Sequence, residues 1–187
     1  FIELARRSLP RESAEQTVAM ILEYLTTAYW RYVTPDQRTL IGSKIEELLW
    51  NEISQAKHRS VAAVYFNAYQ KVVLTDFGVS RLERIWRGEE SVPGVSLVER
   101  DFISLAQALA VREVFGSDSI LNLQRARIEN ADRRDAFDFS VPALSSDLTV
   151  RDVFFKSLAD SSNRVREPWV LDALSFLNHP LRAKYSE

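Results

Sequence analysis

The sequence predicts an all-α protein, built as an irregular superhelix of antiparallel helix pairs. Three observations predict it. Apolar residues recur at the 3.6-residue spacing of a helix along the chain, with no strand-type alternation of useful length. Gly and Pro together supply only eleven of the 187 residues, about half the usual share of roughly 12%, too few for the many tight turns of a sandwich or barrel. Helix-start signals also return about every 20 residues, which leaves room only for short connections.

The elements follow in order. The chain opens inside a helical pattern at Phe1-Ile2-Glu3-Leu4. A long helix is predicted from near residue 13, where Ser13 precedes Gln16 at capping-box spacing and Val18, Ile21, Leu22, Leu25, Tyr29 and Tyr32 form the apolar stripe. Thr34-Pro35-Asp36 starts the next: a hydroxyl cap, a proline whose missing N–H costs nothing in the first turn, and an acid at the positive end. Its stripe is Ile45, Leu48, Leu49 and Ile53. A third helix from near 57 carries Val61, Val64, Tyr65, Ala68, Tyr69 and Val72, and Thr75-Asp76 opens a fourth that Gly88 stops. Ser96 is read as the cap of a helix from near 97 with Phe102, Leu105, Ala106 and Leu109 inward, and Gly116 as its stop signal. Ser117-Asp118, Asn130 to Asp132, and Ser146-Asp147 are read as caps of the next three, the last with Val150, Val153, Phe154 and Leu158. Glu167-Pro168 marks a final helix from near 165. Gly88 to Ser96, with its Pro93-Gly94 turn signal, is the longest loop and is read as plain surface.

Two such helices take about 40 residues, the period of HEAT and armadillo-type pairs, and short connections make neighbours antiparallel. No internal identity repeats, so the expected architecture is an irregular HEAT/armadillo-like solenoid. Residues 1–187 are read as a single helical-repeat domain. A stacked array needs capping repeats with a polar outer face. Neither end offers one, and His179 to Glu187 reads as one turn of a new helix, so the chain is expected to be a fragment of a longer multidomain polypeptide.

Charge is balanced, with 24 Lys+Arg against 26 Asp+Glu. Residues 1–93 carry 12 basic and 12 acidic side chains, and residues 94–187 carry 12 and 14. Neither half has the basic excess that neutralising phosphates requires, so no nucleic-acid partner is expected. The absence of cysteine excludes disulfides, thiolate zinc sites and a cysteine nucleophile. No apolar run approaches the roughly 18 residues of a membrane span.

The residues offer little independent chemistry. His58 and His179 are far apart and do not form the i, i+4 pair of a helical zinc site. Asp132, Asp135 and Asp138 share a helix face, but Arg125, Arg127, Arg133 and Arg134 sit among them, which reads as an ion-paired surface rather than a cation site. No glycine-rich phosphate loop or nucleophile elbow is present. Trp30, Trp50, Trp86 and Trp169 are read as fillers between stacked helices. No catalytic, cofactor-binding or metal-binding residue is expected in this chain.

In the second half the sequence becomes recognisable. Leu82-Glu83-Arg84-Ile85-Trp86-Arg87-Gly88-Glu89-Glu90, Ala110-Val111-Arg112-Glu113, Ala126 to Arg134 and Val141-Pro142-Ala143-Leu144-Ser145 lead to Arg166-Glu167-Pro168-Trp169-Val170-Leu171 and on to Asn178-His179-Pro180-Leu181-Arg182. Together they resemble the C-terminal helical region of bacterial zinc aminopeptidases of the aminopeptidase N family, which are gluzincin metallopeptidases. The resemblance is clearest over residues 80–182. Upstream it rests on helix spacing and on Thr27-Ala28-Tyr29-Trp30-Arg31.

The resemblance implies a parent enzyme with an N-terminal β domain and a thermolysin-like catalytic domain. There an HExxH helix and a later Glu hold zinc, and a GxMEN-type stretch binds the substrate amino terminus. None of these motifs occurs in this chain, so zinc is implied for the parent alone. The implied role is non-catalytic: a helical domain curving over the catalytic cleft and controlling peptide access. Its partners would be the catalytic domain of the same polypeptide and the parent's peptide substrates. Its setting would be soluble, in the bacterial cytoplasm or periplasm. Arg164, Arg166, Glu167 and Trp169 are the candidates for a cavity wall or domain interface. The alternative is a HEAT-like scaffold that binds a protein partner and needs no chemistry.

Overall fold

The computed structural model describes residues 1–185. Among these are ten α-helices, three short 3-10 turns and no strand. The nine helix starts expected from the sequence each lie within two residues of an observed one, and a short helix precedes them. The chain divides into two compact units, residues 1–97 and 98–187.

The first unit holds α1 (Ile2–Ser8), α2 (Glu15–Arg31), α3 (Pro35–Gln55), α4 (Arg59–Val72) and α5 (Asp76–Arg87). Helix α4 packs against both α2 and α3. It accordingly buries most of its circumference, including Ala62, Tyr65, Phe66, Tyr69 and Val72. Contacts fix the directions. Glu15 meets Ser60 and Trp30 Nε1 donates to Lys71 O, so α2 and α4 run the same way. Trp50 meets Tyr69 while Glu46 accepts from Leu74 N, so α3 and α4 are antiparallel.

Caps explain the boundaries. Thr34 Oγ1 accepts from Gln37 N while Gln37 returns its side chain to Thr34 N, the full capping box. Thr75 Oγ1 accepts from Gly78 N at the start of α5. Gly88 ends α5 with φ +80°, a left-handed conformation in which a Cβ would be strained. Ser13 does not cap α2. The N-cap residue is Ala14, without a side-chain cap, and Glu12 Oε1 instead accepts from Ser13 N at 2.8 Å and Ala14 N at 2.9 Å just ahead of the helix. The segment after Gly88 is also less free than a plain surface loop. Glu90 pairs with Arg81 at 2.9 Å and Arg84 at 2.8 Å, and Val92 is buried.

Charged side chains inside this unit sit at helix ends of the matching sign. Arg38 donates to Val33 O at 2.7 Å and Trp30 O at 3.2 Å, where the last carbonyls of α2 are exposed. Glu46 accepts from Leu74 N at 2.7 Å and Thr75 N at 2.8 Å, and from Thr75 Oγ1, at the first turn of α5. A cation at a helix C-terminus and an anion at an N-terminus both oppose the helix dipole and satisfy groups the helix itself cannot.

The second unit holds α6 (Glu99–Val111), α7 (Ser117–Arg127), α8 (Ala131–Leu144), α9 (Leu148–Ser157) and α10 (Glu167–Leu177), with 3-10 turns at Ser161–Arg164 and Pro180–Tyr185. Its core joins Ala110, Val111, Leu121, Ile128, Phe137 and Leu144, with Ile103, Val141, Phe176 and Leu181 packed against them. Asn130 caps α8 and Asp147 caps α9 through their side chains, as expected. Ser96 and Ser117 do not act as caps. Asp101 accepts from Val98 N to begin α6. Gly116, read from the sequence as a stop for α6, instead stands at the N-terminal boundary of α7 with φ +76°.

Of the segment His179 to Glu187, expected as one turn of a further helix, the described part forms the last 3-10 turn, Pro180–Tyr185; residues 186 and 187 lie outside the described residues. Its Arg182 is 1% exposed. The guanidinium donates to Ala143 O at 2.7 Å, Ala110 O at 2.9 Å and Leu144 O at 2.9 Å. One side chain thereby closes the C-terminal ends of both α6 and α8. Burial pushes its pKa down to about 10; Arg151 adds to the fall, while Glu113 and Asp118 oppose it. It stays charged at neutral pH.

Candidate functional site

The site begins with three helices whose apolar faces point into the core of the second unit. On α6, residues 100, 103, 104 and 107 follow one stripe at the shoulder of the buried face. On α8, residues 133, 136, 137 and 140 do the same. Glu99 pairs with Arg133 at 2.9 Å, and Gln107 donates to Ser140 Oγ at 3.4 Å. The two pairs advance together, so α6 and α8 run side by side in the same direction. Their shoulders leave a groove, and α10 supplies its third wall through Trp169 and Asp172, one turn apart.

This groove has a volume of about 260 Å³ and is open to solvent. Ile103, Ala136, Phe137 and Trp169 make its apolar part. Trp169 is half-buried and held by Phe139, with ring centroids 5.9 Å apart. Ser104, Gln107 and Ser140 supply hydroxyl and amide groups. Ser140 is buried and donates to Phe137 O at 2.9 Å, which leaves its oxygen lone pairs toward Gln107.

Cations outnumber anions in the lining. Arg100, Arg133 and Asp172 all line the groove, and the Arg166 guanidinium lies 5.5 Å from the centre of the Trp169 ring. Arg133 is held in place by Glu99, whose carboxyl is pulled below its ordinary value by the Glu129 backbone N–H first and by Arg133 second. Arg100 makes no ion pair among the described residues. Loss of water raises the Asp172 carboxyl above its ordinary value, although the side chain still reaches solvent.

Of the residues singled out from the sequence, Trp169 lines the groove and Arg166 lies over its ring. Arg164 ends an exposed 3-10 turn and Glu167 is the exposed first residue of α10; neither lines the groove. Arg100, Ser104, Gln107, Ser140 and Asp172 were not among the sequence candidates. The signal that points to them is the polar residues at i, i+4 and i+7 beside an apolar stripe, which acquire meaning only when a second helix shoulder lies opposite.

The remaining candidates resolve into structure. Asp138 makes a two-point ion pair with Arg125, at 2.6 and 2.7 Å. Trp86 is core, whereas Trp50 is half-buried with the Arg81 guanidinium 4.0 Å from its ring centre. His179 Nδ1 accepts from Leu181 N at 3.3 Å within the last turn. Among the described residues no group of three or more His, Asp or Glu side chains is arranged to hold a metal ion, and no helix is long and apolar enough to cross a membrane.

Truncating Trp169 to alanine tests its two-sided role. A fully enclosed tryptophan would cost about 3–5 kcal/mol. With one face open to the groove, the expected loss is about 1–2 kcal/mol, chiefly the contact with Phe139. Urea unfolding of the variant measures it.

The sequence matches no model of a known protein family, and no curated protein matches it.

Proposed function

We propose that this chain is a non-catalytic helical domain of a zinc aminopeptidase, one that covers a catalytic cleft and controls peptide access to it. On this reading residues 1–187 are one helical-repeat domain of a longer multidomain chain. The same reading makes the chain an irregular HEAT/armadillo-like superhelix of antiparallel helix pairs, and the antiparallel packing of α3 on α4 supports it. The catalytic domain of the same polypeptide supplies the zinc, and the setting is the bacterial cytoplasm or periplasm. One observation supports it most. The stretch of strongest resemblance, residues 166–182, contributes both an open groove wall at Trp169 and Asp172 and the side chain, Arg182, that closes two helix ends. A cover needs both a surface turned toward its substrate and a rigid backing. Excluding water and fixing the far end of a peptide are what closure over a cleft contributes to catalysis.

The test is to read the coding sequence upstream of residue 1 and assay the whole product. An HExxH helix, a later Glu and chelator-sensitive hydrolysis of aminoacyl-anilides are the expected results. A continued helical array with no such motif would overturn the proposal. That outcome would favour the second reading, a scaffold that binds a protein partner. The observation favouring the scaffold is α9, which leaves Val150, Val153 and Phe155 exposed beside a shallow apolar depression at Pro142 and Phe154.

A further inference from the structure

We infer that the groove between α6, α8 and α10 is a binding site for a small aromatic acid, a single flat ring carrying one carboxylate. Size sets the first limit. At about 260 Å³ the groove falls just below the range of roughly 300–1,000 Å³ that encloses drug-sized ligands, so it takes a ring with a short arm rather than a nucleotide. Shape and chemistry of the lining set the second. Trp169, which is half-buried, offers a flat apolar surface for the ring, and Ile103 and Ala136 add aliphatic surface beside it.

Charge sets the third. Arg100 and Arg133 occupy corresponding first-turn positions of two helices that run side by side, so both guanidiniums stand at one end of the groove. Arg133 is pre-positioned by Glu99, and Arg100 is uncommitted; a planar guanidinium pair of this kind suits a planar carboxylate. Ser104 and Gln107 lie further along the same stripe and offer hydrogen bonds to a polar substituent on the arm. Glu99 already commits Arg133, so Arg100 is the uncommitted cation of the lining, and Asp172 lines the same groove. A monoanion pairs with Arg100, whereas a second negative charge on the ligand would meet Asp172 with no further cation in the lining to offset it. The site therefore favours a monoanion.

The inference stands on the groove alone. An upstream sequence without zinc ligands would remove the aminopeptidase reading and leave this one untouched, and failed binding here would leave that reading in place.

The experiment is an NMR titration of the full chain with phenylacetate, phenylacetamide, acetate and phenyl phosphate. The Trp169 indole resonance, assigned with Trp169→Phe, is the reporter. Phenylacetate is expected to shift it saturably, with a dissociation constant on the order of 1 mM for so small a ligand. The amide and acetate are each expected to bind about tenfold or more weakly, because each lacks one half of the recognition. Arg100→Gln, at an exposed position, is expected to weaken phenylacetate about three- to tenfold and leave the amide unchanged. Equal binding of acid and amide, no change in Arg100→Gln, or no saturation below about 20 mM would overturn the proposal. Tighter binding of phenyl phosphate than of phenylacetate would overturn the assignment to a monoanion.

Discussion

Replacing Arg182 with methionine is expected to destabilise the second unit by about 3–5 kcal/mol. The guanidinium reaches Ala110 O on α6 and Ala143 O and Leu144 O on α8, each within 2.9 Å, in a site without solvent. Methionine fills much of the volume but offers no donor, so Ala143 O and Leu144 O lose the Arg182 guanidinium and Ala110 O keeps only backbone donors such as Glu113 N. A buried polar group left unsatisfied costs about 1–3 kcal/mol, and relaxation or entering water recovers part of that sum. Arg182→Lys is expected to fall between, because a compact ammonium cannot span carbonyls on two helices as a planar fork does. Hydrogen exchange read on peptides from residues 98–144 is the appropriate measurement, since it reports this unit separately. A loss below about 1 kcal/mol would mean that the helix ends find other partners.

The second large effect is expected at Gly78, and its sign depends on Glu46. A glycine in the first turn of α5 would ordinarily gain about 0.5–1 kcal/mol on substitution by alanine. Here a Cβ would collide with Glu46 Oε2 and stand 3.0 Å from Val73 Cγ1. Gly78→Ala is therefore expected to cost about 1–3 kcal/mol, as overpacking does. Glu46→Ala alone should cost about 2–4 kcal/mol, because it strips a charged acceptor from Leu74 N, Thr75 N and Thr75 Oγ1. The double variant should be more stable than the sum of the two losses by at least about 1 kcal/mol, since the collision disappears with the carboxylate. Additive losses in urea unfolding would show that Glu46 is not what requires glycine.

These two sites mark where sequence reading succeeds and where it stops. Periodicity and caps are local, so Thr34, Thr75, Asn130 and Asp147 were legible from a few residues each. Ser13 misled because the helix starts one residue later than its capping-box spacing implies, which makes Ala14 the N-cap residue. Arg38, Glu46 and Arg182 were illegible for a different reason. A pattern reading sends every charge to the surface, yet each of these is buried against the terminus of another helix. The groove divides the same way. An aromatic beside a proline at a helix start drew notice to Trp169. Arg100 and Ser140 gain significance only from α8 and α6 lying side by side, which no single stripe encodes.

The position of Arg182 carries a consequence for synthesis. Helices α6 and α8 are both translated well before the side chain that closes their ends, and a ribosome adds roughly 5–20 residues per second. Until residue 182 clears the exit tunnel, the carbonyls of Ala143 and Leu144 lack this donor, while Ala110 O already has Glu113 N. The nascent second unit should then persist as a loosely ordered, protease-sensitive species for seconds after α6 to α8 have emerged, because Phe176 and Leu181 of its core also arrive late. Order would arrive late, timed by the delivery of the last turn, which brings Leu181 and Arg182 together.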